Sequence, residues 1–172
     1  MADDPGPRLV IESDIRRAAE PDLPAVAEVH RASIREIAPA FYPPRVVAHW
    51  GRERDIEEYR RGMVDHGDAI FVAEAAHRPS RFLGFSHYRF HEGRHYLKGL
   101  FVRGTVARRG LGTRLLRVVE DFARAAGATE LYVEGSLSGE AFYKARGFTE
   151  LSRHKHAMGQ SEIEAIVMQK QL

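Results

Sequence analysis

The residues best suited to chemistry cluster in one loop, Ala107-Arg108-Arg109-Gly110-Leu111-Gly112. Ahead of it, Leu100-Phe101-Val102 reads as the end of a buried strand. Behind it, Leu111, Leu115, Val118, Val119, Phe122 and Ala126 recur at intervals of three and four, the spacing of one helix face. Gly127 then marks the C-terminal stop. The order strand, glycine loop, helix start makes an anion site, because the first helical N–H groups lack intrahelical partners and carry the positive end of the helix dipole. Glycine lets a phosphate approach the backbone, and Arg108, Arg109 and Arg114 add charge suited to phosphate oxygens. A pyrophosphate cradle and an ordinary strand-to-helix turn with a solvated basic patch both fit the loop by itself. A dinucleotide fingerprint needs a third glycine where Leu115 stands, and a P-loop needs a lysine that the loop lacks, so both are disfavoured.

A second motif follows about 30 residues later, one strand further on. Ser136 to Phe148 contains Ala-Phe-Tyr-x-x-x-Gly-Phe. Alone it reads as a short helix over 139–146, capped by Ser138, braced by Glu140 and Lys144 and stopped at Gly147. The two motifs together, in this order, resemble the signatures of the GNAT superfamily of acetyl-CoA-dependent N-acyltransferases, and the similarity in layout extends over nearly the whole chain. The first GNAT signature is Gln/Arg-x-x-Gly-x-Gly/Ala, and Ala107 departs from its first position.

The resemblance implies acetyl-CoA as co-substrate, bound in an opening between the fourth and fifth strands, here residues 95–102 and 130–134. It implies that pantetheine lies along Phe101 and Val102, with an N–H near Val102 polarising the thioester carbonyl. The diphosphate would rest on residues 108–113. The implied cofactor-binding set is Phe101, Val102, Arg103, Arg108, Arg109, Gly110, Leu111, Gly112, Thr113, Arg114, Ser138 and Tyr143. Tyr143 matches the family's general acid, protonating the CoA thiolate after direct attack by a primary amine of a small molecule or peptide. The general base stays open among Tyr96, Glu134, His87, His95 and a water relay. Tyr42 and Trp50 either wall a substrate pocket or pack a helix pair on the sheet. The acceptor itself is open, with selectivity expected from residues 30–50, 87–96 and 154–164. Longer acyl groups, a catalytically silent sensor of acyl-CoA or another ligand, and a phosphate-binding nucleic-acid surface are the competing readings. Dimers are common in the family, which leaves a homodimer open.

The elements that must position these residues can be read in order. A first strand falls over 15–19, and a helix starts at Glu20-Pro21-Asp22 and ends before Pro39. Short helices follow over 45–50 and 54–61, the latter ending at Gly62. Strands are expected over 69–76, 82–90 and 95–102, with turns at Pro79-Ser80 and Glu92-Gly93. After the central helix comes a strand over 130–134, and a hairpin of 149–157 with 163–169 turns at Gly159-Gln160. The fold class is α/β in the α+β sense: a single mixed, mainly antiparallel sheet of six or seven strands with flanking helices. The 172 residues suffice for one domain with a real core, residues 1–10 being a loose arm.

Composition narrows the function classes. A net charge of +2 is far below that of a dedicated nucleic-acid binder. Cysteine is absent, so thiolate zinc sites and cysteine nucleophiles are excluded. His87, His91 and His95 span a hairpin and need not converge, and His154 and His156 share a strand face without a carboxylate nearby in sequence, so no metal site is expected. No apolar run is long enough to span a membrane, and the acidic N-terminus lacks a signal-peptide segment. The expected location is cytoplasmic, without membrane or nucleic-acid partners.

Overall fold

The structure is a computed structural model that describes residues 12–52, 56–76, 78, 81–158 and 161–172. The proposed N-terminal arm, Arg54, the Pro79-Ser80 turn and the Gly159-Gln160 turn lie outside the described residues. Seven strands, β1 (Ser13–Arg17), β2 (Ala69–Ala75), β3 (Phe82–His91), β4 (Arg94–Val102), β5 (Glu130–Ser136), β6 (Thr149–Met158) and β7 (Ser161–Gln171), form one sheet in the order β1-β2-β3-β4-β5-β7-β6. Among the described residues, only β4 and β5 run parallel. Their connection is the central helix α4 (Leu111–Ala125), as a parallel pair requires a crossover.

The sheet is covered on both faces. Leu115, Leu116, Val119 and Ala123 of α4 are fully buried and pack, with α5 (Leu137–Lys144), on one face. On the other face lie α1 (Leu23–Ile37), α2 (Pro44–Trp50) and α3 (Ile56–Asp65). There Leu23, Val26 and Val29 of α1 meet Ile70, Val72 and Phe85. Each large apolar side chain so buried contributes about 1.5–3 kcal/mol, which makes these two interfaces the main source of stability. No helix among the described residues is long and apolar enough to cross a membrane.

Three local features depart from the sequence expectation. Helix α3 does not stop at Gly62 but runs through it to Asp65. A Cβ at Gly62 would lie 2.5 Å from the Asp68 carboxylate, so the glycine makes room for a buried acid rather than ending the helix. Helix α5 begins at Leu137, with Ser136 rather than Ser138 at the N-cap and the two hydroxyls hydrogen-bonded at 2.7 Å. Strand β4 carries a bulge: Tyr88 pairs with Leu97 and His87 with Gly99, leaving Lys98 as the extra residue. Leu97 and Leu100 consequently both pack with the core beneath α4. Phe101 packs with the opposite cores, beside α1 and α2.

Candidate active site

The parallel pairing of β4 with β5 ends at Tyr96–Tyr132 and Leu97–Val133. Beyond it β5 continues to Ser136 against β7, while β4 continues to Val102 against β3. The facing edges from Lys98 and Glu134 onward are unpaired with each other. A cleft of about 430 Å³ opens there. Its walls include Leu100, Phe101 and Val102 of β4, Ser136 of β5, and Ser138, Gly139 and Tyr143 of α5. One end reaches Ala107, Arg108, Gly110, Gly112 and Thr113, and the other reaches Trp50.

The loop before α4 is wound by two left-handed residues, Arg108 at φ 62° and Gly110 at φ 84°. Gly110 is the N-cap of α4 and contributes no side chain, so the first turn has no side-chain cap where Gly110, Gly112 and Thr113 line the cleft. Successive left-handed and right-handed residues of this kind form an anion-binding concavity. Gly112 lies against Phe142, where a Cβ would come within 3.3 Å of the ring.

The expected loop residues divide into two groups. Arg108, Gly110, Gly112 and Thr113 line the cleft, whereas Leu111 is buried in the core beneath α4. Arg109 is exposed and outside the lining. Arg114 turns away to Ser13, donating to its hydroxyl at 2.8 Å and its carbonyl at 2.5 Å. Arg103 also turns away, donating to the Phe82 carbonyl at 2.9 Å and to Glu28 at 2.7 Å. Together with a 2.5 Å bond from Gly104 N–H to Glu36, that pair ties the loop to α1. Sequence reasoning missed Arg146, which lines the cleft and donates to Thr113 Oγ1 at 2.8 and 3.0 Å. Its position three residues after Tyr143, on the cleft side of the helix end, was the available signal.

Tyr143 is buried, with its ring seated between two glycines. A Cβ at Gly135 would meet the ring at 3.0 Å and one at Gly139 at 2.8 Å. Its hydroxyl has no hydrogen-bond partner among the described residues, and burial pushes its pKa well above the ordinary phenol value. The phenol therefore stays protonated at neutral pH and keeps a proton on its oxygen.

A second, smaller pocket of about 180 Å³ shares Trp50 and Phe101 with the cleft. Its polar groups are His30, Tyr59, His87 and Arg89, with Glu58 and Lys98 also in its lining. Asp68, fully buried, accepts from His87 Nε2 at 2.6 Å and from Arg89 at 2.7 and 2.9 Å. Burial alone would raise the Asp68 pKa, but the bonds from His87 and Arg89 outweigh it and hold the carboxyl below its usual range. The His30 Nδ1 hydrogen-bonds the Tyr59 hydroxyl, and the His30 ring lies 3.8 Å from that of Phe101.

The other expected pocket residues are placed differently. Trp50 lines both cavities and His87 the smaller one. Tyr42 lines neither. It is buried and packs edge-on against Trp50, accepting from Leu137 N–H at 2.7 Å and donating to the Glu164 carbonyl at 3.2 Å, which fixes the turn before α2 to α5 and β7. Tyr96 lies against Tyr132, ring centroids 5.8 Å apart, away from both cavities. His95 is bonded to the Tyr88 hydroxyl at 2.8 Å. Glu134 is outside both linings and contacts His154 and His156 on β6. The carboxylate that is missing near those histidines in sequence comes from another strand.

Comparison with known proteins agrees with this geometry. The sequence profile of the acetyltransferase (GNAT) family matches residues 31–148. A GCN5-related N-acetyltransferase from Rhodopseudomonas palustris superposes with a TM-score of 0.81 at 22% identity, covering 95% of this chain and 99% of its own. The PaiA N-acetyltransferase of Thermoplasma acidophilum, solved with coenzyme A, gives 0.75 at 20% identity over 94% and 100%. A phosphinothricin acetyltransferase from Sinorhizobium meliloti, solved with acetyl-CoA, gives 0.70 at 17% over 93% and 88%. No curated protein matches significantly by sequence. The chain belongs to the GNAT acetyltransferase family, with acetyl-CoA as its co-substrate.

Proposed function

We propose that the chain transfers the acetyl group directly to an amine nitrogen presented from the smaller pocket, with Tyr143 as the acid for the departing CoA thiolate. The observation that carries this reading is the Tyr143 hydroxyl: a buried donor without a partner among the described residues, in the wall of a cleft, calls for a ligand atom. The unpaired edge of β4 supports placing the pantetheine arm along Leu100 to Val102, where an extended ligand can take up strand-like hydrogen bonds. The diphosphate then falls at the start of α4, with Arg108 and Arg146 beside it. Those two arginines also offset the missing side chain at Ala107, which weighs against a catalytically silent sensor.

The acceptor side is small and polar at its base, and it meets the cleft at Trp50 and Phe101. An amine there must lose a proton on attack. His87 is the preferred base: its Nε2 faces Asp68, leaving Nδ1 as the nitrogen able to take that proton. His30 is the second imidazole of the pocket and serves as the comparison. The size of the pocket favours a small amine, or one amine-bearing side chain or terminus of a peptide.

The test is thiol release from acetyl-CoA over a panel of small amines and peptides. Tyr143→Phe is expected to lower kcat by about 10²–10³-fold with CoA affinity retained. His87→Gln is expected to lower kcat by about 10²-fold or more, while His30→Gln leaves kcat near that of the wild type. Full turnover by Tyr143→Phe would defeat the assignment of the acid. Full turnover by His87→Gln would move the base elsewhere.

A further inference from the structure

Outside both cavities, three potential metal ligands from two strands converge. His154 and His156 are two residues apart on β6 and therefore share a face of the sheet. Glu134 reaches them from β5, across the intervening strand β7. The residue between Ser136 and His154 in the register is Ala165, whose small side chain leaves space above β7 for the imidazoles to lean over. The two Nε2 atoms are 3.0 Å apart, His154 Nε2 is 3.6 Å from Glu134 Oε1, and His156 Nε2 is in contact with the same oxygen. All three donor atoms lie within 4.8 Å of one another.

Two of the three spacings suit a metal site, and the third, between His156 and Glu134, is closer than such a site needs. In a tetrahedral zinc site, bonds of about 2.0–2.1 Å set neighbouring donor atoms about 3.4 Å apart. The 3.0 and 3.6 Å separations straddle that edge length. Without an ion, two Nε2 atoms facing each other leave one nitrogen as donor and the other as acceptor, and only one can also donate to the carboxylate. An ion accepts all three lone pairs at once. No arginine or lysine contacts Glu134 among the described residues, so its charge is not already committed to a permanent cation. All three side chains are partly exposed, at 38%, 47% and 50%, which leaves the remaining coordination position to water.

We propose that Glu134, His154 and His156 form a binding site for a first-row divalent transition ion, with Zn²⁺ the best match. Two imidazoles and one carboxylate suit Zn²⁺, Co²⁺ and Ni²⁺, whereas Mg²⁺ and Ca²⁺ prefer oxygen-only shells. The bound ion would clasp the outermost strand β6 to β5, two residues before Ser136 enters the wall of the cleft. It is a site separate from the acetyl-transfer chemistry and does not depend on the reading of that chemistry.

The test uses the full chain freed of any affinity tag and stripped with chelator, then titrated calorimetrically with Zn²⁺ and separately with Mg²⁺. Circular dichroism establishes that each variant is folded. The expected result is saturable Zn²⁺ binding that His154→Gln and His156→Gln each weaken by about tenfold or more, with no Mg²⁺ binding. Co²⁺ is expected to give the visible absorption of a four-coordinate site in the wild type and to lose it in the double variant. Zn²⁺ is also expected to raise the melting temperature of the wild type but not of that variant. Absence of Zn²⁺ binding by the wild type, or undiminished binding and Co²⁺ spectrum in the folded double variant, would overturn the proposal.

Discussion

Placing an aspartate at Gly110 tests the diphosphate end of the cleft, and an asparagine at the same position supplies its control. Gly110 sits at φ 84°, and a Cβ built there meets nothing within 4 Å. Any side chain therefore incurs a conformational cost but no clash. Asn and Asp are the residues that best tolerate this backbone region, and they have the same shape, so the strain cancels between them. What remains is one negative charge at the helix start. At about 5 Å from a phosphate charge, with an effective dielectric between 20 and 80, the repulsion is about 1–3 kcal/mol. Gly110→Asp should therefore bind CoA about 5- to 150-fold more weakly than Gly110→Asn. The effect on folding has the opposite sign, because an acid at a helix N-terminus stabilises the helix by about 0.3–1 kcal/mol. A more stable protein that binds more weakly is hard to explain except by charge at the ligand. Calorimetry at low salt reads the affinity and thermal melting reads the stability. The gap in affinity should shrink as salt is raised toward about 1 M, where the screening length falls to about 3 Å. Equal CoA affinity of the two variants would refute the placement of the diphosphate at this helix start.

Three further outcomes follow from the same geometry. Asp68→Asn should cost about 1.5–3 kcal/mol in denaturant unfolding at pH 7, because the buried carboxylate loses its charge-assisted bonds from the half-buried Arg89 and from His87. Since the carboxyl pKa is depressed in the folded protein, this stabilisation is complete above the unfolded value of about 4 and is lost as pH falls through the lower folded value, so the two proteins should converge in acid. Gly62→Ala would ordinarily strengthen a helix by about 1 kcal/mol, yet its Cβ would fall 2.5 Å from Asp68, so a lowered melting temperature is expected and a raised one would contradict the packing described. Gly139→Ala should displace the Tyr143 ring, which a Cβ would approach to 2.8 Å, and lower kcat while CoA affinity stays near that of the wild type; unchanged kcat would show that the ring position is not critical.

The parts of this protein that could be read from its residues are those made by contiguous chain. The periodicity of α4, its glycine start and the following strand and helix all lie within residues 97–148, and each was marked by spacing or by a left-handed glycine such as Gly127 or Gly147. Of the smaller pocket, Trp50 and His87 were named from the sequence, and the rest was hidden for the opposite reason. His30 comes from α1, Tyr59 from α3, and His87 and Arg89 from β3, while their organiser Asp68 lies in the short segment before β2. Within its own segment each of these looks like an ordinary surface or core residue. Glu134 shows the same limit: its partners His154 and His156 lie beyond α5 in the chain, and only the order β5-β7-β6 brings them within reach. Arg103 and Arg114 show the converse, since basic residues flanking a phosphate-type loop were drawn instead into bonds with α1, β1 and β3. Charge in a sequence reports availability, and packing decides the direction.

The bulge at Lys98 has a consequence for how the chain tolerates change. Strand β4 obeys one alternation up to Leu97 and the opposite one from Gly99, and the switch coincides with the point where β4 parts from β5. Deleting a single residue there would restore one uninterrupted parity. Leu100 would keep its place in the core beneath α4 and Phe101 its place on the acceptor side, but the straightened strand would be free to zip further along its parallel neighbour. The opening between the two strands is thus set by a count of one, so at this position an insertion or deletion is a far larger event than any substitution.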